Sequence, residues 1–279
     1  MKHRFPLARL CRRFGMSRQN HYKQKRVRQR AEVDRQLVRH LVLDQRKRQP
    51  RLGGLKLHHL LRKTLKEHGV KLGRDAFFAV LSEEDLLLSP LPKAPRTTMS
   101  RHNLPHFTNL FKDLVLTGPH QAVVSDITYV RTTDAFVYIS LLTDAYSRKI
   151  VGYHVGLCLE VEESARALNM MIRGLPTGAR PLHHSDRGCQ YCSHAYVALL
   201  RDHGLGISMT EVQHCAENAL AERMNGILKQ EYGLGKTFRD LADVLKCLEQ
   251  AVHLYNHQRP HRSLNMRFPA DVHAAKCAA

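Results

Sequence analysis

No apolar run in the 279 residues approaches the ~18 residues that a membrane-spanning helix needs. The basic N-terminus lacks an unbroken apolar segment as well: Arg9, Arg12 and Arg13 interrupt it, so no secretory leader is expected. The seven cysteines have none of the spacing of a disulfide framework. Cys189 and Cys192 form a C-x-x-C, but no second such pair completes a zinc site. His194 and the His214-Cys215 pair are the partners on offer, and small packing residues are the simpler reading of both cysteines. These absences together point to a reducing cytoplasm and to no membrane partner.

Acidic residues are missing where they would matter most. Residues 1–30 hold 11 Lys/Arg and no Asp or Glu. The whole chain carries a formal net charge of +19 and a pI near 10.0, the balance expected of a protein with a polyanionic partner. Residues 1–118 hold 27 of the 44 Lys/Arg and 9 of the 25 Asp/Glu, leaving 17 against 16 for residues 119–279. One half therefore reads as a basic binder and the other as a nearly neutral globular domain. A merely solvated surface would not need its charge concentrated in one half, so nucleic acid is the expected partner.

Within the basic half, residues 1–44 read as a basic helical segment. Leu7, Leu10 and Cys11 have helical spacing, Phe14-Gly15-Met16-Ser17 reads as a turn, and Ser17 is placed to cap a second helix running through Lys23. That pair has the outline of a helix-turn-helix, with Arg18 as a DNA contact; a basic arm that orders on DNA is the alternative. Residues 26–50 read as a further basic helix. Residues 45–88 are the stronger helix-turn-helix-like candidate. Leu57, Leu61 and Leu65 form part of a stripe from about Leu55 to His68, Gly69 ends it, and a second helix carries Phe77, Phe78 and Leu81, with Arg74 at its start facing DNA on this reading. Residues 89–118 read as a linker broken by Pro90, Pro92, Pro95 and Pro105 and kept wet by Lys93, Arg96 and Arg101.

The second half, residues 119–279, opens with three β-rich runs separated by tight turns: Gln121 to Val130, Phe136 to Thr143 and Lys149 to Val155. A helix from Glu163 to Leu175, a strand from Leu182 to Ser185, a helix from Ser193 to His203, a strand from Gly206 to Met209 and a helix carrying Glu222 follow. The order βββαβαβα implies an α/β fold, a mixed five-stranded sheet with helices on its faces, preceded by a small all-α region.

Three acids in this half stand out. Asp126 lies inside the first strand among apolar and β-branched residues, where an ionised carboxylate is costly unless paired or metal-bound. Alone it would read as an edge position facing water. Asp186 follows the fourth strand directly, and if the first and fourth strands are neighbours the two carboxylates meet at the sheet rim. Glu222 comes with 35 residues between it and Asp186. Asn218, Glu222, Asn225 and Lys229 share one face of its helix, opposite a core stripe of Leu220, Met224 and Ile227/Leu228. Such a face is usually solvated, but here it is placed to overlook the rim, with Lys229 set to meet a DNA backbone. Glu217 is a weaker candidate, a helix-start charge. Three carboxylates suit Mg²⁺, a hard ion that prefers oxygen; two ions ~4 Å apart can activate an attacking hydroxyl and stabilise the leaving oxygen of a phosphodiester. Asp126, Asp186 and Glu222 are therefore the expected metal-holding and catalytic set.

Ser125-Asp-Ile-Thr-Tyr, Thr143-Asp-Ala-Tyr-Ser-Arg-Lys-Ile-Val-Gly-Tyr, His184-Ser-Asp-Arg-Gly-Cys-Gln-Tyr, Glu217-Asn-Ala-Leu-Ala-Glu-Arg and Tyr255-Asn-His-Gln-Arg-Pro-His-Arg-Ser-Leu occur in this order. Together they resemble the transposases of the IS3 family of insertion sequences, which share a catalytic core with retroviral integrases. The resemblance runs from about residue 45 to residue 272. It implies a ribonuclease-H-like fold and an Asp, Asp, 35-spaced Glu triad falling on Asp126, Asp186 and Glu222. It implies Mg²⁺ or Mn²⁺, two ions in all, cleavage at element ends, joining of the 3′-hydroxyl to another phosphodiester, and a circular intermediate. The partners implied are terminal inverted repeats, target DNA, further copies of the chain in a homo-multimer, and the product of an upstream frame joined by frameshifting. The setting implied is a bacterial cytoplasm, at the nucleoid when bound to DNA.

The chain departs from that pattern in places. It has no Trp, and Val124 stands where the family often has one, two residues before the first Asp. Cys189 and Cys192 stand where Ser or Thr is usual. His183 and His184 read as strand-end structure, and Arg259-Pro-His-Arg as a packing and DNA-contact signature. A DNA-binding protein with an inactive core, and a nuclease that cuts without joining, are the rival readings.

Overall fold

The computed structural model describes residues 6–89, 104–211 and 218–275. The expectations for Pro90, Pro92, Pro95, Lys93, Arg96 and Arg101, and for His214, Cys215 and Glu217, lie outside the described residues. The chain forms two compact units, Met1–Lys47 with Gly53–Leu88, and Arg48–Leu52 with Ser89–Ala279.

The first unit is all-helical: α1 (Leu7–Arg13), α2 (Arg18–Arg48), α3 (Gly54–Glu67) and α4 (Arg74–Glu83). Ser17 caps α2 as its sequence suggests, its Oγ accepting from the Asn20 backbone N–H at 3.1 Å. The helix does not stop near Lys23. It runs 31 residues without a Gly or Pro, joining what the sequence reading separates, and the boundary expected at residue 44 falls inside it. Val38 and Val42 of α2 are buried, as are Leu57, Leu61 and Leu65 of α3 and Phe77 and Leu81 of α4. Gly54 lies so close to α4 that a Cβ there would meet the Phe78 ring at 2.8 Å. Arg35 and Arg39 of α2 pair with Glu84 at 3.2 and 3.1 Å, surface contacts contributing ~0–1 kcal/mol each.

The second unit is built on a five-stranded sheet in the order β3-β2-β1-β4-β5. The strands are β1 (Ala122–Arg131), β2 (Phe136–Asp144), β3 (Ile150–Gly156), β4 (Leu182–Ser185) and β5 (Gly206–Met209). The first three form an antiparallel meander, as their tight turns require. Thr132 closes the first turn, its backbone N–H donating to Ala135 O at 2.8 Å. Helix α5 (Val161–Arg173) then crosses over so that β4 enters parallel to β1, Val124 opposite His184, and β5 follows parallel to β4. The order of elements read from the sequence holds from β1 through the helix that carries Glu222, with one short addition, α6 (Cys189–Cys192), ahead of α7 (His194–Asp202).

Helices cover both faces of the sheet. On one face, Ala167, Leu168 and Met171 of α5 pack with Tyr191 of α6, Tyr196 and Leu200 of α7, and Val123 and Leu142 of the sheet. The approach of α5 is close: a Cβ at Gly152 would lie 2.4 Å from the Ala167 carbonyl oxygen. On the other face lie α8 (Ala219–Glu231) and α9 (Leu241–Gln258). Met224, Ile227 and Leu228 of α8 and Val244, Leu248 and Tyr255 of α9 pack on Val130, Ile139, Leu141 and Val155. Asn256 of α9 brackets β3, accepting from the Ile150 N–H and donating to its carbonyl, both at 3.0 Å. The chain then turns through a short 3-10 turn (Arg262–Leu264) into α10 (Pro269–Ala274). The architecture is ribonuclease-H-like.

Candidate active site

Alternation along β1 aims Val123 at the α5 face and Val124 at the opposite face, where Ala221 of α8 packs. Asp126 is an even-numbered neighbour of Val124 and points the same way, under α8. The polar stripe of α8 lies along β1 residue by residue. Asn218 Nδ2 donates to Ser125 O at 3.1 Å, Asn225 Nδ2 donates to Asp126 Oδ2 at 2.7 Å, and Lys229 Nζ sits 4.6 Å from the centre of the Tyr129 ring. Three members of the face expected to overlook the sheet rim dock on it, Asn218 and Asn225 buried and Lys229 half-buried, while Glu222 on the same face is exposed.

Asp186 follows β4. Paired strands β1 and β4 run in register as far as Val124 and His184 (two residues before each acid), so the same register carries Asp126 and Asp186 forward abreast. A tight turn holds Asp186, whose Oδ1 accepts from the Gly188 N–H at 3.0 Å. Both acids line a cleft of ≈ 470 Å³ walled by Tyr129, Phe136, Tyr138 and Tyr191. Beneath it, Ser125 Oγ donates to Tyr191 Oη at 2.9 Å, tying β1 to α6.

The electrostatics mark Asp126. Burial, then the charge of Asp186, push its carboxyl up to about 7, with a smaller push from Glu222; the hydrogen bonds from Asn225 and the Ile127 N–H act the other way. Asp126 therefore resists ionisation beside the charge of Asp186, in a place that solvates it poorly.

Glu222 is brought near enough to act on Asp126, but it is exposed on the first turn of α8 and does not line the cleft. Among the described residues no three His, Cys, Asp or Glu side chains stand close enough together to hold a metal ion. The donor set nonetheless suits a divalent cation, since it offers only carboxylate oxygens and a mutual repulsion that positive charge would relieve.

The remaining candidates divide. Lys229 is half-buried against Tyr129, and burial lowers its pKa while Asp126 raises it. Arg74 is exposed and paired with Asp75 at 2.7 Å, and Arg18 is exposed at the start of α2. Arg259, read as part of a packing and DNA-contact signature, is buried, which suits packing, and its guanidinium forks onto both carboxylate oxygens of Glu231 at 2.7 Å. Cys189 is exposed, while Cys192 is buried with its thiol 3.6 Å from Met209 Sδ. His183 is buried against Tyr196, whose hydroxyl lies 3.1 Å from its Nε2, and His184 stacks on Phe111 at 4.8 Å. The roles of Asn218 and Asn225 as clamps were not read from the sequence, though their place on the Glu222 face was the available signal.

Comparison with known proteins agrees with this architecture. Two models of the integrase core domain match residues 117–215 and 203–269. The insertion element IS600 uncharacterized 31 kDa protein of Shigella sonnei is 31% identical over 274 residues, 94% of this chain and 96% of that protein. The transposase InsF for insertion sequence IS3A of Escherichia coli is 30% identical over 175 residues, 62% of this chain and 61% of its own length. A simian T-cell lymphotropic virus intasome, solved in complex with PP2A regulatory subunit B56 gamma, shares the fold at 17% identity and a TM-score of 0.51, over 81% of this chain and 76% of that one. With a relative matched along nearly its whole length and an integrase core around the paired acids, the chain belongs to the IS3 family of insertion-sequence transposases.

Proposed function

We propose that this chain performs the polynucleotidyl transfer of its family as a DNA strand transferase, cutting at the ends of an insertion sequence and joining the freed 3′-hydroxyl to another phosphodiester. The observation that carries the reading is the Asp126–Asp186 pair: two carboxyl groups from adjacent parallel strands in one cleft, one of them held near pH 7 by burial and by the other's charge. Groups perturbed in this way cluster at catalytic sites.

Asp126, Asp186 and Glu222 would hold Mg²⁺ or Mn²⁺, two ions on this reading. Bound there, the metal supplies activation of the attacking hydroxyl and stabilisation of the leaving oxygen. Asn225 fixes the orientation of Asp126, and the Gly188 turn fixes that of Asp186. Glu222, exposed at the lip of α8, is the ligand that closes the set when substrate arrives. Lys229, whose ammonium stands over the Tyr129 ring, has a positive charge to offer a phosphate beside the cleft.

The all-helical unit supplies end recognition on this reading, with exposed Arg18 and Arg74 among its DNA contacts. Two ends must be brought together, so the working form is a multimer on terminal repeats and target DNA, supported by the upstream-frame product. No helix among the described residues is long and apolar enough to cross a membrane, and the proposed setting is the bacterial cytoplasm.

The test is a strand-transfer assay with labelled element ends, a plasmid target and Mg²⁺, with the upstream-frame fusion run in parallel. Joined product is expected from the parent, and neither cleaved nor joined product from Asp186→Asn, which still binds the ends. Cleaved ends that never join would make the protein a nuclease. Neither product, even from the fusion, would make it a binder with an inactive core.

A further inference from the structure

A second pocket lies away from the acids, between the β2–β3 turn and the C-terminal segment, with a volume of ≈ 260 Å³. Arg148, Arg267, Tyr146, Ser263 and Asn265 contribute to its wall, and no carboxylate lines it among the described residues. Its two arginines are available. The Arg148 guanidinium makes no hydrogen bond or ion pair with the described residues, although it is half-buried and burial lowers its pKa. Among the described residues the Arg267 guanidinium makes one hydrogen bond, Nε donating to Leu264 O at 3.4 Å, and its terminal nitrogens make none.

Tyr255 and then Asp144 act on Arg148 electrostatically, and Asp144, the carboxylate of the two, is already engaged. Its Oδ1 accepts from the Ser147 N–H and hydroxyl, both at 2.7 Å, and its Oδ2 from the His120 N–H at 2.8 Å. Ser147 Oγ in turn lies 2.9 Å from His273 Nδ1 of α10, so the β2–β3 turn is fastened to the C-terminal segment. The backbone around the pocket is held in the left-handed region at Arg148 (φ 64°), Asn265 (φ 53°) and Met266 (φ 64°). Asn adopts this region readily, but at Arg148 and Met266 it costs strain that persists only where the surroundings enforce it, and such strain often marks a ligand clamp. Two forked cations, a hydroxyl and an amide, with no acid among them, match the donors that recognise a phosphate group.

We propose that this pocket takes a backbone phosphate of DNA, a contact separate from the acidic cleft and from the helical unit. The inference rests on the chain being a DNA-acting protein, but not on its joining chemistry.

The test is equilibrium binding of the full chain to a duplex of about three helical turns across a salt series, without metal. Arg148→Asn and Arg267→Gln are compared with the parent and with Lys246→Gln, a charge-matched change on exposed α9 surface. Asn is chosen at residue 148 because it tolerates the left-handed backbone. Each pocket variant should lower the slope of log K against log salt by about one and weaken binding about five- to tenfold at physiological salt, with Lys246→Gln changing little. Unchanged slopes and affinities in variants that melt like the parent would overturn the proposal. So would a melting-temperature rise with inorganic phosphate that the variants lose while their DNA curves stay put, which would make the pocket a free-anion site. Because the readout is binding alone, strand transfer can fail while this contact stands.

Discussion

Asn225 Nδ2 donates to Asp126 Oδ2 at 2.7 Å, linking a helix to a strand residue 99 positions earlier in the chain. The bond does two things. It stabilises the ionised carboxylate against the burial that opposes it, and together with the Ile127 N–H, which donates to Oδ1 at 2.9 Å, it fixes the orientation of Asp126. Removing it should therefore cost both affinity for metal and rate.

Asn225→Ala is expected to lower strand transfer about 10- to 100-fold, the usual range for losing a group that orients a metal-binding carboxylate. A Mg²⁺ titration of joining checks it, with the midpoint expected at higher metal. Full activity at the parent's midpoint would show that Asp126 needs no such hold.

Asp126 should also make the metal-free protein less stable as pH rises. Its ordinary value is 3.8 and its folded value is about 7, so between those pH values the unfolded chain ionises while the folded chain stays protonated. Stability from this group is thus lost from about pH 4 to 7 and does not return at higher pH. Asp126→Asn should melt higher than the parent at pH 8, with the difference shrinking toward pH 4. Added Mg²⁺ should raise the melting temperature of the parent at pH 8 and leave that of Asp126→Asn nearly unmoved. Thermal melts across pH, with and without metal, measure both effects.

His183 works with the opposite sign. Burial, with a further push from His184, takes it from 6.5 to about 3, so the folded chain keeps it neutral while the unfolded chain takes up a proton. Its contribution is present above about pH 6.5 and drains as pH falls toward 3. His183→Gln keeps an acceptor for the Tyr196 hydroxyl but cannot be protonated. It should show a shallower loss of melting temperature than the parent between pH 6 and 4; parallel curves would rule His183 out as a source of acid sensitivity.

The buried Arg259–Glu231 fork should be asymmetric to mutation. Glu231→Ala leaves a buried guanidinium without its partner and should cost about 3–5 kcal/mol in denaturant unfolding. Arg259→Met combined with Glu231→Leu should cost much less, because no charge is left stranded. Equal losses in the single and double variants would mean that the site tolerates the lone cation.

The catalytic unit was legible in the sequence because its signals are local. β-branched runs, tight turns and an amphipathic period each imply their element without knowledge of the rest, and the spacing of Asp126, Asp186 and Glu222 required only that β1 and β4 be neighbours. What stayed hidden depends on neighbours that a sequence does not name. The close approach of α5 made Gly152 a packing residue, and nothing around Gly152 in the chain announces Ala167. What Arg259 packs against was hidden because Glu231, its partner, lies 28 residues away on another helix. The length of α2 was missed for a different reason: a good N-cap at Ser17 marks where a helix begins and says nothing of where it ends.

The strand order has a consequence for how the protein comes into being. β1 waits beside β2 until β4 arrives to complete its other edge, and the clamp from α8 is translated later still. A growing chain on the ribosome therefore holds Asp126 long before Asp186 exists to share a cleft with it. Such distant pairings fold slowly. A nascent or truncated product ending before residue 182 carries Asp126 without the strand that brings Asp186 beside it.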